Sequence, residues 1–92
     1  MIESFKHKGL KKLYTEGKVQ GVRQDQVERI TMILDALDVA ETLEELNLPM
    51  FRFHALQGFN PKRYSMRVSG NYRITFEWEK GEARKIDLED YH

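Results

Sequence analysis

The chain has no cysteine at all, and only two prolines, in 92 residues. Without cysteine there is no disulfide, no thiolate nucleophile and no thiolate-held metal. Secreted domains of this size often depend on disulfides, so the expected compartment is the cytoplasm. Long hydrophobic runs are also missing. Nothing approaches the ~18 consecutive apolar residues of a spanning helix, and no membrane partner is expected. The opening Met1-Ile2-Glu3-Ser4-Phe5 lacks the apolar core of a signal peptide. Neither His-x-x-x-His nor a paired-carboxylate spacing occurs, so neither a metal nor another cofactor is expected. There is no phosphate-cradling glycine loop and no signature of a nucleophilic serine. What remains is an ordinary globular composition, 40% hydrophobic and 33% charged, read as one domain over residues 1–92.

A net charge of zero would argue against a nucleic-acid partner, but the charges are not mixed evenly. Residues 1–24 carry six bases against Glu3 and Glu16, and residues 25–50 carry seven acids against Arg29 alone. Residues 51–76 then hold Arg52, Lys62, Arg63, Arg67 and Arg73 and no acid, and the last sixteen return to −3. Arginine forks match phosphate bidentately and stack on bases, so the basic block suits RNA or phosphate. Chance clustering in a strand-rich half is the alternative.

The periodicity changes once along the chain. Ile2–Phe5 is a short candidate strand, and residues 5–16 read as a helix with Leu10, Leu13 and Tyr14 on one side and Gly17 as its stop. Val27, Ile30, Ile33, Leu34 and Leu37 form the stripe of a second helix, with Asp25 or its neighbours as cap. Thr42–Leu46 suggests a further helical turn. Beyond Pro49 the period becomes two. Phe51 and Phe53 alternate with Arg52 and His54, and Tyr64, Met66 and Val68 with Ser65 and Arg67. Tyr72, Ile74, Phe76 and Trp78 alternate with Arg73, Thr75, Glu77 and Glu79, and Ile86 and Leu88 continue in a last strand. Ser69-Gly70-Asn71 and Glu79-Lys80-Gly81-Glu82 are tight-turn signals. The predicted architecture is α+β, two N-terminal helices packed on one face of a mainly antiparallel sheet.

Parity then separates two sets of side chains. The apolar set must face the helices, and Arg52, His54, Arg67 and Arg73 must point away from them. A histidine among arginines on an open sheet face suits phosphate chemistry, although a plain solvated face would be polar too. Of the three histidines, His7 reads as a surface residue of the first helix. His92 ends the chain in Asp90-Tyr91-His92, directly after a strand with almost no slack. Cleaving RNA by internal attack needs a base for the 2′-OH, an acid for the 5′-oxygen and cations for the charge on phosphorus. His, Asp, Tyr and Arg supply all three.

Residues 2–10 (Ile-Glu-Ser-Phe-Lys-His-Lys-Gly-Leu), Leu46-Asn47-Leu48-Pro49, Tyr72-Arg73-Ile74-Thr75-Phe76 and the terminal Glu89-Asp90-Tyr91-His92 together resemble the HigB branch of the RelE-type toxin superfamily. Members are also described as plasmid-maintenance killer proteins. The resemblance runs in order over essentially the whole chain and implies the RelE-like ribonuclease architecture. It implies a ribosome-dependent, metal-independent endoribonuclease that cuts mRNA in the A site, against 16S rRNA. It also implies a cognate helix-turn-helix antitoxin, through which alone operator DNA is reached.

By position, the resemblance makes His54, Asp90, Tyr91 and His92 the catalytic set and Arg73 the strand arginine beside them. Arg52 and Arg67 are candidate phosphate contacts. Gln57 stands where many relatives have lysine, a contact that is missing or is supplied by Lys62 or Arg63. Asp90 or His92 is the expected general base. Two alternatives share the architecture: a ParE-like gyrase poison, and an inactive antitoxin-binding corepressor. The acidic stretch from Asp25 to Glu45 would be repelled by rRNA, so it is expected to face solvent or antitoxin.

Overall fold

The structure, a computed structural model, describes residues 1–90. Two helices, α1 (Lys8–Glu16) and α2 (Val27–Val39), precede four strands: β1 (His54–Leu56), β2 (Arg63–Ser69), β3 (Tyr72–Glu79) and β4 (Glu82–Asp90). The strands form an antiparallel meander in the order β1-β2-β3-β4, so the α+β expectation is what the chain adopts.

Local chemistry sets the helix limits. α1 begins at Lys8 and not at Phe5, because His7 is extended and its Nδ1 accepts the Leu10 N–H at 3.1 Å. His7 is thus a half-buried cap, not the surface residue expected. At the other end Gly17 takes φ 70 and returns its N–H to the Leu13 carbonyl, the left-handed stop that glycine permits without strain. The segment before α1 forms no full strand. It makes two isolated parallel bridges to β4, Ile2 with Ala83 and Phe5 with Ile86. α2 is entered through a 3-10 turn over Gln24–Gln26 with no side-chain cap. Asp25 does not cap because the Arg23 fork takes both of its carboxylate oxygens, at 3.1 and 2.9 Å.

The predicted stripe of α2 is buried at Ile30, Ile33, Leu34 and Leu37, against Met66, Ile74, Phe76 and Ile86 of the sheet. The 3-10 turn at Leu43–Leu46 drops Leu46 into the same core. Its entry is fixed by Glu45, whose carboxylate accepts the backbone N–H groups of Glu41 and Thr42 at 2.8 and 2.7 Å. These two bonds, Glu41 first, hold the Glu45 carboxyl below its ordinary pKa.

Two departures from the expected strands matter for the site. The strand expected from Phe51 begins only at His54, because Pro49–Phe51 is a 3-10 turn and Arg52 sits at φ 47. Alternation survives nonetheless: Phe51 is buried, Arg52 exposed, Phe53 half-buried and His54 exposed. Phe53 stacks on Tyr64 at 5.5 Å and both rings approach Phe76, which pins this lead-in to the helix side. The second departure is a bulge in β4. Thr75 pairs with Asp87 but Glu77 with Arg84, so Lys85 and Ile86 together face Phe76, and Lys85 takes φ 50.

Candidate active site

The ladder arranges the face turned away from the helices in rows of directly opposed side chains. One row runs Leu56, Arg63, Glu77 and Arg84; the next His54, Ser65, Thr75 and Asp87; the third Arg67, Arg73 and Glu89. The first row is sealed. Arg63 and Glu77 are each only 8% exposed, with Nη1 of Arg63 3.4 Å from the Glu77 carboxylate. The other nitrogen of its fork, Nη2, donates at 3.0 Å to the Thr75 hydroxyl and to the Lys85 carbonyl at the bulge. Arg84 closes the row by pairing with Glu3 and Glu79.

The other end is open. A cavity of about 310 Å³ is lined by Arg52, His54, Ser65, Arg67 and Arg73, with Gly70, Asn71 and Tyr72 of the β2–β3 hairpin as its rim. Three elements converge there. Arg52 and His54 arrive with the pinned lead-in to β1, Arg67 from β2 and Arg73 from β3. Arg67 and Arg73 are direct cross-strand partners, with Cβ atoms roughly 4.5–5.5 Å apart, so two guanidiniums are brought side by side at the cavity. Paired guanidinium forks match the geometry of a phosphate group. His54 stands on the neighbouring strand, one row away, and brings an imidazole to the wall of the same cavity.

The residues expected to carry function therefore divide. Arg52, His54, Arg67 and Arg73 share one cavity. Asp90 pairs with Tyr72, a wall of that cavity, and by alternation lies on the other side of β4 from Glu89. Tyr91 and His92 lie outside the described residues. Lys62 is exposed in the segment before β2 and is not a wall. Arg63 is a correction. Offered as a phosphate contact, it is buried and its guanidinium is committed to Glu77, Thr75 and Lys85, so it cannot reach a ligand without breaking the interior of the face.

Other contributors were not foreseen. Ser65 is buried between His54 and Thr75, a position that only the strand register reveals. Arg29, the lone base of the acidic stretch, reaches from α2 to the segments on either side of the cavity. Its Nε donates to the Arg67 carbonyl at 3.2 Å, its Nη2 donates to the Met50 carbonyl, and its guanidinium lies 5.4 Å from the Phe51 ring. It thereby ties Arg67 to the turn that presents Arg52. The one signal in the sequence was an isolated cation where every other charge is negative.

A second hollow, of about 460 Å³, is lined by Lys8, Lys12, Lys18, Gln20 and two glycines beside α1. Its described walls include neither a histidine nor a carboxylate. Among the described residues no cluster of three or more His, Asp or Glu side chains is placed to hold a metal, and no helix is long and apolar enough to cross a membrane.

A model of the HigB-like toxins, RelE-like toxins of type II toxin–antitoxin systems, matches residues 3–92. Over its whole length the chain is 44% identical to the endoribonuclease HigB of Proteus vulgaris, and the match covers all of both chains. It is 30% identical to the toxin HigB-1 of Vibrio cholerae serotype O1, over 99% of this chain and 98% of the other. Near-complete coverage, with the open cationic face behind it, gives the conclusion: the chain belongs to the HigB-like family of RelE-like toxins of type II toxin–antitoxin systems, and a cognate antitoxin is the partner that membership implies.

Proposed function

We propose that this chain is an endoribonuclease that cuts mRNA in the ribosomal A site and halts translation, acting in the cytoplasm as a single domain. The observation that carries the reading is the Arg67–Arg73 pair, opposed across β2 and β3, with His54 one row away in the same cavity. Two juxtaposed guanidiniums bind the scissile phosphate and stabilise the charge that builds on it. Asp90 or His92 takes the 2′-OH proton, and the freed oxygen attacks phosphorus. The P–O5′ bond breaks as the other residue of that pair, or His54, returns a proton to the leaving oxygen. The products are a 2′,3′-cyclic phosphate and a 5′-hydroxyl. Tyr91 positions the base or the phosphate, and Arg52 and Lys62 extend the basic track for the RNA.

The antitoxin is read as a helix-turn-helix protein that carries the complex to operator DNA. The acidic outer side of α2, opposite the cavity, is kept from rRNA by like charge and is left to solvent or to that partner.

Primer extension on cellular mRNA after pulsed induction tests the reading. Cuts within translated codons that disappear in His92→Ala and Asp90→Ala are expected. Normal growth without cleavage would favour a corepressor, and a DNA-damage response without mRNA cuts would favour a gyrase poison. Full toxicity of a chain truncated after Leu88 would remove the terminal residues from the mechanism.

A further inference from the structure

The sealed and open ends of the face are joined by one directional chain of hydrogen bonds. Thr75 is fully buried in the middle row, and its hydroxyl has a single proton to give. Arg63 can only donate, and its Nη2 fills the acceptor side of that hydroxyl at 3.0 Å. The Thr75 proton is therefore directed outward, and it goes to the carboxylate of Glu89. Arg63 is itself anchored by Glu77 and the Lys85 carbonyl, so the polarity of the chain is fixed from inside the protein. Its outer end must be an acceptor, which a charged carboxylate provides.

Glu89 occupies a telling position. It is the direct β4 partner of Arg73, as Arg67 is its β2 partner. Arg73 thus sits between a like charge on one side and an opposite, internally anchored charge on the other. By register, the opposite charge on β4 draws that guanidinium toward β4 and the like charge on β2 pushes it the same way. Glu89 also immediately precedes Asp90, so a grip on Glu89 holds the last described rungs of the β4 ladder in place.

We propose that Glu89, gripped by Thr75 and Arg63, is a positioning residue for RNA cleavage: it holds Arg73 in the orientation that meets the developing charge on phosphorus. The proposal rests on the RNA-cleaving reading of the same cavity. Glu89 does not touch RNA; it acts through Arg73. Because it is an acid on a cationic surface, its removal favours RNA binding while harming catalysis, a split that general damage to the fold would not produce.

The test is single-turnover cleavage of a defined mRNA on purified ribosomes, with binding measured in parallel. Glu89→Gln and Thr75→Val should each lower the cleavage rate about tenfold or more, with affinity for the programmed ribosome unchanged or tighter. Thr75→Ser, which restores the hydroxyl, should recover wild-type cleavage to within about twofold. In an Arg73→Ala background, Glu89→Gln should cost nothing further. Wild-type cleavage by Glu89→Gln, or an undiminished loss in the Arg73→Ala background, would overturn the proposal and leave the RNA-cleaving reading intact. A wild-type chain that cuts no mRNA on ribosomes would overturn both.

Discussion

Arg63 and Arg67 stand four residues apart on β2 and point to the same side of the sheet, yet their surroundings are opposite. Arg63 is 8% exposed and holds three partners across β3 and β4. Arg67 is exposed, opposes another arginine and lines a cavity. One ties strands together, and the other stands open at the cavity with a second guanidinium beside it. The difference lies in their rows. Glu77 and the β4 bulge supply acceptors for Arg63, while the row of Arg67 brings Arg73 beside it. The same residue type is sealed in or left open according to what the register sets opposite it.

The contrast can be broken most forcefully at the sealed end. Glu77→Ala leaves a buried guanidinium without its counter-charge, and a loss of about 3 kcal/mol is expected. For a chain of this size that lowers the melting temperature by roughly 12–24 °C. A drop of only a few degrees would mean that the sealed end is not structural. Arg29→Met keeps the aliphatic stem but removes the clasp between α2, β2 and the Arg52 turn. It should cost about 1–2 kcal/mol in a denaturant titration and lower cleavage about tenfold, since it touches both stability and the cavity. Stability lost without any loss of cleavage would confine Arg29 to the fold.

The smallest effect is a control far from either end. Backbone N–H groups lower the folded-state pKa of Glu45 below its ordinary value of 4.5, so its contribution is present above that value and fades as pH falls through the lower folded one. The melting-temperature gap between wild type and Glu45→Gln should therefore be constant from neutral to mildly acidic pH. It should close in acid below the ordinary carboxylate range, with cleavage unchanged at neutral pH. A gap that widened in acid would reverse the sign of this account.

Much of this was legible in the sequence. Strict alternation over Tyr72–Glu79 named the helix-facing side of β3, and with it the opposite placement of Arg73. The stripe of α2 was read correctly at Ile30, Ile33, Leu34 and Leu37. Arg52, His54, Arg67 and Arg73 could be grouped by parity because adjacent strands joined by short turns are neighbours. What parity cannot supply is depth. Arg63 and Arg67 have the same parity and the same chemistry, and only the row contents tell them apart. The bulge at Lys85 was equally hidden, since a left-handed lysine leaves no mark in composition, and yet it sets which β4 residues face Glu77 and Thr75. The early strand at Phe51 failed for a local reason: Pro49 starts a 3-10 turn, while burial of Phe51 and Phe53 preserves the alternation that suggested a strand.

The central claim is that the open end of this face does the chemistry and the sealed end holds the sheet. Arg67→Ala, measured side by side for ribosome-dependent mRNA cleavage and for thermal unfolding, tests it most directly. The account predicts a cleavage rate reduced on the order of a hundredfold. It also predicts a stability change within about 0.5 kcal/mol, or a few degrees in the melt. A melt lowered by ten degrees or more with cleavage intact would contradict it.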